Sequence, residues 1–546
     1  IDLLDLYLPT LSSMKLNRRS FNRTAIQLAL GAAIGPIAFK KFRPTPTRSI
    51  ETNSIAEAMT ANINRIQDFL TPETELLLPT YLGNARRRFY GRGMPQKLDL
   101  LHQFSLGSGR TFLGGRSTVW TGAGWTGQPT LTKDRGKIYL TIGSFDRYLK
   151  KIDLETQEVV WNYQFDDIIK GTATIYIDPS ADDENRLVIL QGSRLSFLPK
   201  NSRKPAASFR AISFRSGREL WRLPFRKTPS YSRDNDSSPL DLGKGLIFNA
   251  GENSIGYFLN GSIEKAQLKE GTSQPEILAE VDLYQTIDAG KYGGNLVTES
   301  SPARLDDRIF IAAGGGRIWG IDIETRQIVW RFLAGGDLDG SIAISDENKL
   351  FCALEREKIP GQGGVLKLDP NKPENEAVDW FLPTSNRNFS TWQGGVIGSV
   401  ALNDEYRSPE IPALFATNSI DGHLYIGSQH QITGTQVKDP FLQKMYATPL
   451  IVFKHPIGSS ISTPIFTDGN RVVAAGYNGV YLFQLHFDSV KSNTPNALKN
   501  DRGEFYRMTV EQIAHFKPGI SFESTPIVWD GLVRICSRDG WMYTLG

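Results

Sequence analysis

From about residue 97 to the end, the chain alternates apolar and polar positions in short runs broken repeatedly by Gly, Asp and Asn. This period of two predicts short half-buried strands joined by tight turns. One stretch follows the helical period instead: Ile55, Met59, Ile63, Ile66 and Leu70 share one face of an amphipathic helix predicted over residues 54–70. The change of period divides the chain into a leader (1–43), a linker carrying that helix (44–96) and an all-β domain (97–546).

The β domain repeats itself. Ile152-Asp153-Leu154-Glu155-Thr156-Gln157-Glu158-Val159-Val160-Trp161 returns as Ile212 to Trp221 and as Ile321 to Trp330, and each Trp follows an Asp or Ser (Asp153, Ser213, Asp322) by eight residues. A strand, an Asp/Thr/Gly turn, a second strand and a Trp make a hairpin whose indole can bury a large face against the next unit. A second marker begins each unit: Ser237-Ser238-Pro239, Ser300-Ser301-Pro302, Ser462-Thr463-Pro464 and Ser524-Thr525-Pro526, with looser copies at Gly127-Gln128-Pro129, Gly171-Thr172-Ala173, Gly340-Ser341-Ile342 and Gly394-Gly395-Val396. Eight units follow, each long enough for four strands. Because every sheet has two apolar faces to cover, radial closure into an eight-bladed β-propeller of four-stranded antiparallel blades is expected. The last unit stops one strand short at Leu545, and residues 98–105 can supply the missing strand.

The Trp hairpin resembles the tryptophan docking motif of the pyrroloquinoline quinone (PQQ)-like β-propellers, Ala-x-Asp-x-x-Thr-Gly-x-x-x-Trp, with Gln157 and Arg326 in place of the motif Gly. The resemblance covers residues 97–546 and implies one of several functions, since that superfamily includes quinoprotein alcohol and sugar dehydrogenases, assembly scaffolds and binding proteins. Its dehydrogenases would imply PQQ near the axis, a Ca²⁺ held by carboxylate and amide oxygens, an Asp base and commonly two adjacent cysteines. Here the only cysteines, Cys352 and Cys536, are far apart, and no CxxCH haem site occurs.

Composition adds exclusions. With 40% hydrophobic and 22% charged residues the chain is an ordinary globular protein. Its net charge is +4, but the first 43 residues carry seven basic and two acidic groups, so the remainder is close to neutral. A near-neutral body gives no footprint for nucleic acid. The basic run Arg86-Arg87-Arg88-Phe89-Tyr90 with Arg92 reads as a solvated lead-in to the first strand. The six histidines show no HExxH or similar pairing, and two cysteines make no zinc site.

From Met14 the leader has a basic segment, Asn17-Arg18-Arg19-Ser20-Phe21-Asn22-Arg23, and then a weakly apolar stretch from Thr24 to Phe39. Gly31, Gly35 and Pro36 make that stretch a poor membrane span, which needs about 20 apolar residues. The paired arginines resemble a twin-arginine export signal, with Asn22 where the pattern prefers an apolar residue. Export to a periplasmic or equivalent lumenal compartment is expected, with membrane contact only through an uncleaved leader.

The repeat register points to candidate site residues. The residue just before each marker should lie near the axis: Thr126, Lys170, Asp236, Glu299, Asp339, Gln393, Ile461 and Glu523. Four carboxylates converging on one mouth need neutralising by Lys170, by a hard cation such as Ca²⁺ on Glu299 and Asp339, or by a cationic partner; otherwise they are solvated or cap turns. Trp125, Tyr292 and Trp392 stand in Gly-rich loops near three strand starts and are candidates for ligand recognition. The runs Gly314-Gly315-Gly316 and 361–364 precede strands, not helices, and read as turns. Together these features favour an exported, non-catalytic binding or scaffolding propeller with a protein or small-molecule ligand at its mouth. A PQQ-dependent oxidoreductase of alcohols or sugars is the alternative, and a polymer-acting lyase or hydrolase the third reading.

Overall fold

The computed structural model describes residues 74–113, 115–124, 126–197, 206–386 and 393–546. The leader, the paired arginines and the helix expected over 54–70 lie outside the described residues. So do Trp125 and Trp392. Among the described residues no helix is long and apolar enough to cross a membrane.

The period-two runs pair antiparallel with their sequence neighbours into eight successive sheets. Their first repeat strands are Thr130–Asp134, Thr174–Ile177, Leu240–Gly243, Ala303–Leu305, Ala343–Ile344, Ala401–Leu402, Ile465–Thr467 and Ile527–Trp529, which begin blades 1 to 8. The apolar clusters lie between consecutive blades. One joins Tyr176, Phe209 and Trp221 of blade 2 to Ile247 and Tyr257 of blade 3; another joins Phe310 and Ile318 of blade 4 to Cys352 and Leu366 of blade 5. The core is thus a circle of interfaces, and the chain is an eight-bladed β-propeller. Blades 1, 7 and 8 have five strands where four were expected. Closure follows the expected pairing: Leu100–Ser105 is the outermost strand of blade 8, antiparallel to Trp541–Leu545, with Ser105 opposite Trp541.

The Trp hairpins dock as their spacing suggests. The Trp161 indole donates to the Phe214 carbonyl of the next blade (3.0 Å), and Trp330 donates to that of Lys372 (2.9 Å). The motif position filled by Gly217 at φ +71° is held in the same left-handed conformation by Gln157 (+62°) and Arg326 (+57°), an uncommon place for non-glycine residues. The three-glycine run is the turn between Arg308–Ala313 and Arg317–Asp322.

The marker triplets explain themselves at the axis. In blades 2, 4, 5 and 7 their second residue, and in blade 6 Ser399, carries a hydroxyl that accepts a backbone N–H of the preceding blade: Gln128 to Thr172 (2.7 Å), Ser238 to Ser301 (2.9 Å), Ser301 to Ser341 (2.8 Å), Ser341 to Ser399 (2.9 Å) and Ser399 to Thr463 (2.8 Å). A hydroxyl recurs because each blade must satisfy its neighbour's buried amide. The first residue is small because the blades nearly touch: a Cβ on Gly171 would stand 2.2 Å from the Asp236 carbonyl oxygen.

Residues 74–96, read from the sequence as linker, are built into the ring. Glu75–Leu78 adds a strand to blade 1, and Gly91–Arg92 runs parallel to Ile527–Trp529 of blade 8. Between them the chain fills the axis. Its carbonyls at Pro79, Ala85, Arg86 and Tyr90 accept the amides of Ile175 (2.8 Å), Arg304 (2.7 Å), Ile344 (3.0 Å) and Val528 (3.0 Å) in blades 2, 4, 5 and 8. The Leu82 amide reaches Gln128 of blade 1 (2.8 Å), the Tyr81 hydroxyl bonds Thr463 of blade 7 (3.2 Å), and the Tyr90 hydroxyl accepts the Leu402 amide of blade 6 (3.0 Å).

The basic run is therefore no solvated lead-in. Arg87 is fully buried and donates to the carbonyls of Tyr81 (2.7 Å), Ser238 (3.0 Å), Pro239 (3.4 Å) and Pro302 (2.8 Å) and to the Thr80 hydroxyl (2.8 Å). Burial pushes its pKa down to about 9. Arg88 pairs with Asp346, Asp404 and Glu405 at 2.6, 3.1 and 3.0 Å. The sequence reading failed because a five-donor guanidinium can be buried where backbone carbonyls converge, and only closure of the ring makes them converge.

Arg87→Met keeps much of the volume but leaves several buried acceptors unpaired, at roughly 1–3 kcal/mol for each acceptor that water cannot reach. Thermal or urea unfolding should show a loss of at least about 3 kcal/mol. An unchanged midpoint would show that the plug does not contribute to ring stability.

Candidate functional site

The first repeat strands run from the triplets toward the face where the plug enters, so the residues before the triplets gather at the opposite mouth. Lys170, Asp236 and Glu299, from the entries of blades 2, 3 and 4, are buried together there. The Lys170 ammonium is ion-paired with Asp236 and stands 3.7 Å from Glu299. Asp339, from blade 5, is partly buried, and the charges of Glu299, Asp337 and Glu355 act on it.

The turn after the second strand of each repeat supplies further acids that the register reading missed. Glu252 follows Leu246–Gly251 in blade 3, and Glu355 follows Leu350–Leu354 in blade 5. Ser144, Ser193, Ser419 and Ser537 hold this place in four other blades, so the two glutamates stood out in the sequence had the second turn been aligned as the first was. Asp236, Glu252 and Glu299 offer oxygens all within 4.8 Å of one another. Asp337 lies 3.5 Å from the Lys358 ammonium. Asp234 is separately paired with Arg194 at 3.0 Å.

Carboxyls outnumber ammonium groups in this arc, and the titrations respond. Burial opposes charge on Lys170, but Asp236, then Glu299 and Glu252, outweigh it and push its pKa up. Glu252 is 2% exposed, and its Oε1 has no hydrogen-bond partner among the described residues. Burial first, then Asp236 and Asp234, push its pKa well above the usual carboxyl range. Asp339 is pushed up likewise by burial and by Glu299, Asp337 and Glu355.

The other candidates fall elsewhere. Glu523 holds the same register in blade 8 but has its own partner, Arg538, at 3.5 Å; burial raises its pKa although Arg538 and Tyr477 oppose the shift. Gln393 is a correction. It lies exposed in a loop, accepting from Arg356, and the blade 6 entry is Gly398-Ser399-Val400, four residues later, because Ser399 carries the hydroxyl that completes the axial series. The true register residue of blade 6 is Ile397, buried like Ile461 of blade 7. Tyr292 ends the short helix Thr286–Tyr292, donates to the Gly335 carbonyl (3.2 Å) and has the Lys358 ammonium 5.5 Å from its ring centroid. Trp125 and Trp392 have no described position.

These residues test the Ca²⁺ and PQQ that the resemblance implies. The three-carboxylate group has the spacing of a cation site, but Lys170 already places an ammonium against two of its members. A divalent ion there would face that ammonium at ion-pair range, so the group fits an ammonium and not Ca²⁺. With the ion goes the anchor by which a quinone would be held, and no catalytic step is derived through either.

No family model matches the chain, and no curated protein matches it. Solved structures do. BamB from Moraxella catarrhalis aligns at 14% identity over 82% of this chain and 97% of that one, with a TM-score of 0.43. The computationally designed Ika8 protein aligns at 13% identity over 83% and 99%, with a TM-score of 0.43. A europium-containing methanol dehydrogenase aligns at 10% identity over 88% and 91%, with a TM-score of 0.48. Likeness at this level says nothing about ligand or reaction.

The raised carboxyl pKa values set a pH dependence. Unfolded Glu and Asp titrate near 4.3 and 3.9, and a group with a higher folded pKa contributes stability that is full below its unfolded pKa and lost as pH rises through the folded one. Without added ligand the propeller should therefore lose stability from pH 5 toward pH 8. Glu252→Gln should raise the melting temperature at pH 8, change it little at pH 4 and flatten the slope between. An unaltered slope would remove Glu252 from the titrating set.

Proposed function

We propose that the protein is an exported, non-catalytic binding propeller whose acidic mouth takes a cationic group at Glu299, Asp339 and Glu355. The observation that carries this reading is the buried group of Asp236, Glu252 and Glu299, whose oxygens lie within 4.8 Å of one another and are already met by the ammonium of Lys170. Asp339 is partly exposed, so an incoming cation can reach it from solvent. Residues 79–92 occupy the axis beneath, which suits the mouth to holding a group and not to passing it through. Export rests on Arg18 and Arg19 of the leader.

Melting curves in CaCl₂ and in n-butylammonium chloride, against NaCl at equal ionic strength and pH 7.5, test the site. At least one cation should stabilise the protein, by about 2.7 kcal/mol at a hundred times its dissociation constant, and Glu299→Gln with Asp339→Asn should abolish the effect. Indifference to both cations would refute the reading, and dye-linked oxidation of methanol or glucose after addition of PQQ and Ca²⁺ would replace it with a quinoprotein one. For export, Arg18→Lys with Arg19→Lys should leave the protein in the cytoplasm; normal export of that variant would exclude the route.

A further inference from the structure

Between the closing strand and blade 1 the chain makes a two-stranded hairpin, Ser108–Leu113 with Arg116–Thr121, that belongs to no blade. It lies against the turns that follow the second strands, on the mouth side of blades 8, 1 and 2. The Leu106 amide donates to the Gly540 carbonyl of blade 8 (2.7 Å), the Phe145 amide of blade 1 donates to the Gly122 carbonyl (2.9 Å), and the Ser196 hydroxyl of blade 2 accepts the Phe112 amide (2.9 Å). Trp120 is buried beneath it, 5% exposed, in a T-shaped contact with Phe145 at 5.1 Å.

The residue after the turn serine is Phe145 in blade 1, Arg194 in blade 2 and Arg538 in blade 8. Both guanidiniums lie over the Trp120 ring, 5.6 and 5.3 Å from its centroid, and that of Arg538 also lies over Phe145 at 4.7 Å. Their donors are used differently. Arg194 gives its three nitrogens to Asp234 (3.0 Å), the Thr111 hydroxyl (3.3 Å) and the Phe112 carbonyl (3.4 Å). Arg538, its side chain 10% exposed, makes no side-chain hydrogen bond among the described residues; its Nε is buried without a partner, 3.5 Å from Glu523. The buried Trp120 indole N–H beside it has no partner either. Glu523 offsets the charge of Arg538 but takes none of its hydrogen bonds, and aromatic faces attract the cation without accepting its in-plane N–H donors.

Buried donors with no acceptor are a cost to the fold. A guanidinium fork matches a carboxylate, whose two oxygens accept two parallel N–H bonds. We infer that Arg538 is the seat of a carboxylate ligand at the blade 8 and blade 1 side of the mouth, gripped by the fork while Trp120 and Phe145 hold the guanidinium in place. The site is separate from the acids of blades 3 to 5, so its failure leaves the cation-binding reading where it stands.

Sodium acetate, sodium phosphate and NaCl, compared at equal ionic strength and pH 7.5, test the assignment. Acetate should raise the melting temperature above its value in NaCl, and the gain should vanish in Arg538→Gln and in Arg538→Lys, which keeps the charge but has no planar fork. Saturation-transfer NMR of the acetate methyl group reads binding without reference to stability. Its signal should be lost in both variants and kept in Arg110→Gln, which removes an exposed arginine of the hairpin. A gain shared equally by all the variants would show a general salt effect, and an acetate response kept in Arg538→Lys would show that charge alone is read. A phosphate response that exceeds the acetate response and depends on Arg538 would show a phosphate site. Each of these overturns the carboxylate assignment, as does the absence of acetate binding.

Discussion

Eight short strands line the axis of this ring, and within the repeat itself each is paired on one side only. The polar edge left over is the constraint on which the rest of the molecule depends. Exposed to a narrow channel it would be neither well solvated nor paired, and a buried unpaired amide or carbonyl costs as much as a lost hydrogen bond. The protein answers at two levels. Ser and Thr hydroxyls at the blade entries join neighbouring blades from 1 to 8, the Gln128 side-chain amide joins blade 1 back to blade 8, and residues 79–92 reach all eight blades. Arg87 completes the arrangement by collecting the carbonyls that face inward between blades 3 and 4.

Closing the axis from one side shapes the chemistry on the other. With the plug at one end and the hydroxyl series beside it, Lys170, Asp236 and Glu299, just before their triplets, are almost fully buried. Carboxylates that would be innocuous on a surface become expensive in such a place, and they are kept by borrowing positive charge from Lys170 and Lys358. Their retention at a cost to the fold is the reason to assign the mouth a ligand. Blades 6 and 7, which carry Ile397 and Ile461 at the same position, need no such compensation, while Glu523 of blade 8 is met by Arg538.

Much of the site was legible in the repeat register. Lys170, Asp236, Glu299 and Asp339 were brought to one side of the axis from positions spread over 170 residues, because each precedes a triplet whose hydroxyl has a fixed place in the ring. The register failed at blade 6, where Gly394-Gly395 resembles a triplet but has no hydroxyl; Ser399 four residues on satisfies the bond that the other triplets make. It was blind to Glu252 and Glu355, which belong to a different turn of the same repeat and converge only once the sheets stand side by side.

The sequence by itself determined the period-two strands, the number of blades, the Trp docking and the closing strand at residues 100–105, because each depends on local alternation and on a spacing repeated along the chain. Only the tertiary structure decided the fate of Arg86 to Tyr90 and the balance of charge at the mouth. A basic run of five residues looks the same in sequence whether it is solvated or buried. What separates the two is a set of carbonyls from blades far apart in the chain, and those meet Arg87 only when the ring is closed around it. In the same way Lys170 is a counter-ion, and not a surface lysine, because Gly171 lets its blade lie against Asp236.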